Sequence, residues 1–333
     1  MIRKKSSVPT MKDVAAEAGV AVGTVSRVIN GKPVAEEYRR KVYAAIEKLD
    51  YHVNSYAQGL KASRTFTAAL LIPNIVDPYF SLLAQQISRA LANRSYKMLL
   101  CCTDFNARQE QEYIDMIRMN KVDGVIGLTY NPELIVDQNL PFVSIDRVLS
   151  PSFPCVTCDN YYGGRLAAQK LAELGCLRVI FLRVGSDLNA EPDKRKLGFE
   201  NGCREFGLEL ESVILGDGHD LNVAFLDYLK TRMPDGVPDY DGIFCVTDQL
   251  AYFVQGNLRE LGLVPGKDIQ LIGFDGIRYL GMGDPVCSSI VQPVEEIAEM
   301  AVEILLQDKS YARPPLICLP VEFREGGTTR PLA

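Results

Sequence analysis

Two sets of residues in this chain have the types and spacing for recognition chemistry. The first is Val22-Gly23-Thr24-Val25-Ser26-Arg27, with Asn30 close behind. On a helix, Val22, Gly23, Ser26 and Arg27 share an outer face. The arginine fork can meet both acceptors of a guanine edge in the major groove of DNA. Thr24, Ser26 and Asn30 are short hydrogen-bonders suited to phosphate oxygens, which fix position without reading sequence. The second set follows short apolar runs. Asp77-Pro78-Tyr79-Phe80 comes after Ala68–Pro73 and offers aromatic faces that can stack on a sugar or a base. Asp146-Arg147 comes after Phe142–Ile145, where an arginine can bind a hydroxyl pair, a carboxylate or a phosphate.

Catalytic and metal constellations are missing by comparison. The chain has two histidines, His52 and His219, so histidine acid–base chemistry has few candidates. Cys155-Val-Thr-Cys158 is a C-x-x-C pair, but zinc needs two further ligands, and the pair falls in an extended segment rather than at a helix start. No G-x-G-x-x-G, phosphate-loop or G-x-S-x-G motif occurs. The expectation is a binding protein, not an enzyme, with no cofactor and no metal.

The first set sits in a segment that reads as three short helices. Met11, Val14, Ala15 and Ala18 recur at helical spacing behind the N-cap Thr10, with Asp13 in the first turn. Gly19 stops that helix. A second runs from about Val22 to Ile29, with Val25, Val28 and Ile29 inward, and Ala15 is small where the two must cross. A third, about Ala35 to Leu49, has Tyr38, Val42, Ala45, Ile46 and Leu49 as its inner stripe. Two helices about a tight turn, braced by a third, form a helix-turn-helix. Charge agrees. Residues 1–64 hold 12 Lys/Arg against 6 Asp/Glu, whereas the remainder holds 24 against 36. A basic head on an acidic body points the head at a polyanion.

The second set sits in a body of alternating strands and helices. Strands are expected at 68–73, 97–102, 124–128, 142–145, 179–182, 242–246 and 269–274, with helices at 80–93, 108–120, 162–174 and 194–206. The pattern repeats in two similar halves, which implies parallel sheets covered by helices. Ligands in such folds bind beyond the carboxyl ends of the strands, here between two lobes. The fold class is α/β: an all-α helix-turn-helix head followed by a two-lobed core with parallel sheets.

The run T-M-K-D-V-A-x-x-A-G-V-x-V-x-T-V-S-R-V-I-N-G-K-P-V, residues 10–34, resembles the lactose-repressor (LacI/GalR) family of bacterial transcription regulators. The resemblance continues across nearly the whole chain. It implies a head (1–50), a hinge (51–65) that folds on operator DNA, and a periplasmic-binding-protein-like core (66–333). Crossovers near 160–163, 288–293 and 320 would make each lobe discontinuous: 66–161 with 291–319, and 162–290 with 320–333. In the hinge, Asn54, Ala57 and Leu60 match the family pattern, and Leu60 would wedge into a minor-groove step. Val53 replaces the usual proline, and Gly59 weakens the hinge helix. The DNA-contacting set so expected is Thr10, Val22, Gly23, Thr24, Ser26, Arg27, Asn30, Tyr51, Asn54, Ala57 and Leu60.

In the core, Arg195-Lys-Leu-Gly198-Phe199 matches the family's R-x-x-G-F, whose arginine points into the cleft. Gly273-Phe274-Asp275-Gly276 resembles its G-F-D-D, and Asp275 would accept ligand hydroxyls. Thr247-Asp248 replaces its Asn-Asp, and Gln292 matches a position near the cleft. With Tyr79, Phe80 and Arg147, the effector-binding set is Tyr79, Phe80, Arg147, Arg195, Asp248, Asp275 and Gln292. Gly218 fills a place where relatives often carry an aromatic residue. The implied partners are a near-palindromic operator duplex, a small effector, most simply a sugar, and a second copy of the chain.

Composition narrows the alternatives. A chain of 333 residues with 47% apolar side chains can build two or three domains. No apolar run approaches the roughly 20 residues of a membrane span. The basic N-terminus lacks the apolar stretch of a secretory signal, and nine scattered cysteines suit a reducing compartment, so the cytoplasm is expected. An extracytoplasmic sugar-binding protein would fit the body but not the head. A sugar-modifying enzyme on the same scaffold would be distinguished by turnover.

Overall fold

The computed structural model describes residues 9–29, 31–51, 64–185, 189–216, 221–278, 285, 287–307 and 314–331. Asn30, Val53, Asn54, Ala57, Gly59, Leu60 and Gly218, named above, lie outside them. The chain forms two compact units, Met1–Thr65 and Phe66–Ala333.

The first unit holds α1 (Met11–Ala18), α2 (Val22–Ile29) and α3 (Glu36–Lys48). Both the backbone N–H and the hydroxyl of Thr10 donate to the Asp13 carboxylate, at 2.7 and 2.6 Å, which closes the first turn of α1. Gly19 ends α1 at φ 65°, and the Val20 N–H returns to the Ala15 carbonyl at 3.0 Å, a turn that only a left-handed residue permits cheaply. Val14, Val25 and Val42 are fully buried at the junction of the three helices. Tyr38 departs from the expected inner stripe: it is 45% exposed, and its ring lies 5.9 Å from the Lys41 ammonium. The aromatic ring this small core takes in is that of Tyr51, 7% exposed and drawn inward as its N–H closes on the Ile46 carbonyl.

The second unit contains two six-stranded sheets. Its elements are β1 (Thr67–Ile72), α4 (Pro78–Asn93), β2 (Lys97–Cys102), α5 (Ala107–Met119), β3 (Gly124–Leu128), β4 (Phe142–Ile145), β5 (Cys155–Cys158), α6 (Asn160–Glu173), β6 (Arg178–Val184), α7 (Lys194–Phe206), β7 (Glu209–Leu215), α8 (Leu221–Thr231), β8 (Gly242–Cys245), α9 (Asp248–Glu260), β9 (Gln270–Asp275), β10 (Ser288–Val291), α10 (Val294–Leu306), β11 (Leu316–Leu319) and β12 (Glu322–Arg324). The first sheet runs β11-β5-β4-β3-β1-β2, all parallel. The second runs β12-β10-β9-β8-β6-β7, with only β12 antiparallel. The two orders superpose strand for strand, so β4 in one lobe corresponds to β9 in the other. The chain passes between lobes at Asp159, at Gln292–Pro293 and at Pro320–Val321.

Central strands such as β1 and β9 are buried on both faces, as parallel strands covered by helices must be. Phe181, Phe199, Phe244 and Phe274 form a stack in the C-terminal lobe, with ring centroids 4.8–6.5 Å apart. Helices α6 and α7 cross with backbone against backbone. A Cβ on Gly198 would lie 1.9 Å from the Tyr161 carbonyl oxygen, and one on Gly164 2.0 Å from that of Arg195. These glycines bring the first turns of the two helices together, which sets up the site below. Among the described residues, no helix is long and apolar enough to cross a membrane.

Candidate DNA interface and ligand cleft

The outward face of α2 is the one the spacing predicts. Val22, Gly23 and Arg27 are exposed, Thr24 and Ser26 half-buried, and Val25 and Val28 buried against α1 and α3. Ala21, from whose carbonyl the helix starts, has no side-chain acceptor to close its positive end. Such an end suits a phosphate. Thr10 and Tyr51 differ from the rest of the expected DNA set. The Thr10 hydroxyl is engaged by Asp13, and the Tyr51 ring serves the head's core.

In the core, Arg195 opens α7 and is buried. Its Nε donates to Asn160 Oδ1 and its Nη1 to the Val246 carbonyl, each at 2.7 Å. The guanidinium carbon lies 3.7 Å over the centre of the Phe274 ring, a cation–π contact at the end of the phenylalanine stack. Asp275 Oδ1 sits 3.8 Å from Nη1. Burial alone would draw the arginine's pKa down, but the carboxylates around it, Asp275 foremost, raise it.

Asp275 ends β9 at φ 128°, a backbone conformation that side-chain-bearing residues rarely adopt, and is 4% exposed. Gln292 Nε2 donates to its Oδ1 at 2.8 Å. Behind it, Asp248 accepts from Ser289 Oγ at 2.6 Å, Cys287 Sγ at 3.2 Å and the Ile277 N–H at 2.7 Å. Asp248 is thus occupied as a buttress of the Asp275 loop, not turned toward the cleft as a ligand contact. Burial pushes the Asp275 carboxyl well above the usual carboxylate range, with the nearby Arg195 opposing.

The N-terminal lobe supplies the facing wall. Asp146 follows β4 at φ 61° and is 1% exposed. It accepts from Thr157 Oγ1 at 2.6 Å, and its carbonyl accepts the Glu191 N–H of the other lobe at 2.9 Å. Burial raises its carboxyl pKa, with the Thr157 hydroxyl and then Arg195 opposing. Tyr79, in the first turn of α4, is buried, and burial, with the charges of Asp146 and Asp275 adding to it, pushes its hydroxyl's pKa up. Tyr79 Oη and Gln292 Oε1 are buried without a hydrogen-bond partner.

Arg195, Asp275, Gln292 and Tyr79 are therefore brought together as expected sites, and Asp248 stands behind them. Phe80 and Arg147 differ. Phe80 is built into the apolar core between the sheets and α4. Arg147 is engaged within the N-terminal lobe, where it donates to the Tyr130 carbonyl at 3.1 Å. Asp146 and Asn160 are the site residues that sequence reasoning missed. The usable signal for Asp146 was positional: it directly follows β4, the counterpart of the strand that Asp275 ends. The arrangement has one buried guanidinium and an excess of carboxylate and carbonyl acceptors, a setting for a neutral ligand rich in hydroxyl donors.

Residues 10–54 match the family model for bacterial regulatory proteins of the lacI family, and residues 168–329 match a periplasmic binding protein-like domain. The chain is 31% identical to the sucrose operon repressor of Streptococcus mutans over 96% of this chain and 99% of that protein. It is 32% identical to the ribose operon repressor of Bacillus subtilis over 96% and 98%. A crystal structure of the lac repressor bound to ONPG in its repressed state shares the fold, with a TM-score of 0.80 at 22% identity over 97% of this chain and all of the other. A helix-turn-helix head, a two-lobed parallel core and relatives matched from end to end agree: the chain belongs to the lacI family of bacterial regulatory proteins.

Proposed function

We propose that this regulator is a sequence-specific repressor whose operator affinity is set by a neutral sugar in the Arg195 cleft. In this reading the units are a head of residues 1–50, a hinge of 51–65 and a core of 66–333. Arg27 reads a guanine, Val22 and Gly23 lie along the base edges, and Thr24 and Ser26 meet phosphates. Arg195, Asp275, Asp146, Tyr79 and Gln292 hold the sugar. The observation that carries the sugar reading is the buried Asp275–Arg195 pair with a second buried carboxylate, Asp146, and with Tyr79 Oη and Gln292 Oε1 left unpartnered. Those atoms ask for hydroxyls, and the acidic surplus disfavours a phosphosugar. The relatives are named for a disaccharide operon and a pentose operon, so names do not choose the sugar.

A twofold pair of chains fits a near-palindromic operator. The exposed Leu100 on edge strand β2 and Ile214 on edge strand β7 supply apolar surface for pairing through the core. A sugar alters DNA affinity only by binding two lobe arrangements unequally. The relatives are named as operon repressors, which supports a role in binding rather than turnover, in the cytoplasm where the DNA is.

The test is selection of operators from random duplexes by the full-length protein, followed by calorimetry with a sugar panel. Enrichment of a near-palindrome is expected. Arg27→Ala should lose about 1–3 kcal/mol at one guanine pair; a uniform loss on all DNA would reduce Arg27 to a phosphate contact. Arg195→Ala should weaken sugar binding by about 100-fold, the scale of a lost charged donor, and leave operator selection intact. Unchanged sugar response in that variant would sink the assignment.

A further inference from the structure

Beside the Arg195 cleft, wholly within the N-terminal lobe, lies a pocket of about 210 Å³ at the carboxyl ends of β1, β2 and β3. In this sheet order β1 and β3 are neighbours from which the chain winds in opposite directions, the place where doubly wound folds take ligands. One wall is aromatic. Phe105 stacks with Tyr130, with centroids 6.2 Å apart and planes 18° from parallel. Phe105 is 62% exposed, and it and Asp104 are consecutive residues in the left-handed region, at φ 56° and 49°. Two such residues in a row are strained unless the surroundings hold them. Here the Asp104 N–H is tied to the Pro73 carbonyl at 2.6 Å and the Asn106 N–H to the Thr103 carbonyl at 2.8 Å. The result is a large apolar ring held at the mouth of the pocket, where burial does not reward it.

The polar side of the pocket is Glu110, 4% exposed, with Thr129 and Asn131 bonded to its carboxyl and Thr103 nearby. An aromatic face opposite a buried carboxylate and hydroxyls suits a second sugar ring, whose C–H face lies on the aromatic carbons while its hydroxyls meet the acceptors. Tyr130 joins the two compartments. Its side of the pocket follows β3, and Asp146 of the cleft follows the paired strand β4, with Leu128 opposite Ile145. The volume is below the roughly 300–1,000 Å³ of sites that enclose drug-sized ligands, so the pocket is scaled to one ring rather than a whole effector.

We propose that the effector is a neutral disaccharide, with one ring at Arg195 and the other in the Phe105–Tyr130–Glu110 pocket. This rests on the sugar reading of the Arg195 cleft. The experiment is calorimetry on the full-length protein with sucrose, maltose and cellobiose, and with glucose, fructose and ribose. One disaccharide should bind at least about tenfold more tightly than either of its component monosaccharides. Phe105→Ala, at an exposed position, and Ala107→Phe, which fills the pocket from the start of α5, should each erase that advantage and leave monosaccharide affinity unchanged. A disaccharide that binds no better than its tighter component overturns the second-ring site alone. So does a Phe105→Ala protein that loses both classes by the same factor. Binding of none of the six sugars overturns the sugar reading of the cleft, and the second ring with it.

Discussion

The two lobes place an aspartate at the same point of the same sheet order, yet surround it differently. Asp146 follows β4 and Asp275 ends its counterpart β9. Both are buried and both have positive φ. Around Asp275 the C-terminal lobe is fully wired: Arg195 at 3.8 Å, Gln292 at 2.8 Å, and Asp248 bracing the loop through three bonds. Around Asp146 the carboxylate accepts from one hydroxyl, that of Thr157, at 2.6 Å. Arg195 reaches it only as a longer-range attraction. Duplicated architecture has become a preorganised half and a sparse half. A ligand loses least by docking where the groups are already held, and it gains its state-dependence from the half it must complete.

The largest effects should come from exchanging each carboxylate for its neutral isostere. Asp275→Asn removes the partner of a buried guanidinium, and breaking such a pair costs about 3–5 kcal/mol. The core should melt well below wild type and bind sugar poorly. Asp146→Asn should move stability the other way. It deletes a buried charge that has no close cation, so the sugar-free core should gain about 1 kcal/mol, roughly 2–4 °C for a domain of this size, while sugar binding weakens by about tenfold. Thermal unfolding of the two variants side by side checks the comparison. If both shift downward by similar amounts, the lobes are wired alike and the division into a docking half and a completing half is wrong.

The head was legible because each feature is local. Helical periodicity, a capping Thr10–Asp13 pair and two left-handed glycines, Gly19 and Gly31, all lie within a few residues of what they determine. Most central strands were legible as short apolar runs. Edge strand β7, Glu209-Leu-Glu-Ser-Val-Ile-Leu215, was not, since its mixed exposure gives no continuous run. Nor was β12, three residues long and antiparallel. In the site, Arg195 was legible through its R-x-x-G-F context, and the structure supplies the reason for the glycine, which lets α7 touch α6. Tyr51 and Phe80 were misplaced because an aromatic residue beside a functional segment looks the same whether it faces ligand or core. Asp146 was passed over for Arg147 because a lone arginine at a strand end is conspicuous, whereas burial and positive φ arise only when the two sheets are assembled.

The smallest expected effect concerns protons, and it sharpens the comparison further. Burial raises the carboxyl pKa of both Asp146 and Asp275. For an acid raised in the folded state, the folded protein binds the extra proton, so its stability is fully present below the ordinary carboxylate range and is lost as pH rises through the raised value. Sugar binding has the opposite preference. Hydroxyls that donate to a carboxylate favour its ionised form, so affinity should fall as the solution is acidified toward the raised values, and binding should release protons there. Burial outweighs Arg195 at Asp275, whose carboxyl is raised well above the usual range, so Asp275 is the main source of the released proton and Asp146 contributes less. Calorimetry in buffers of differing ionisation enthalpy measures that release. Asp146→Asn should leave most of that release in place, and loss of the whole release in that variant would reassign the proton to Asp146.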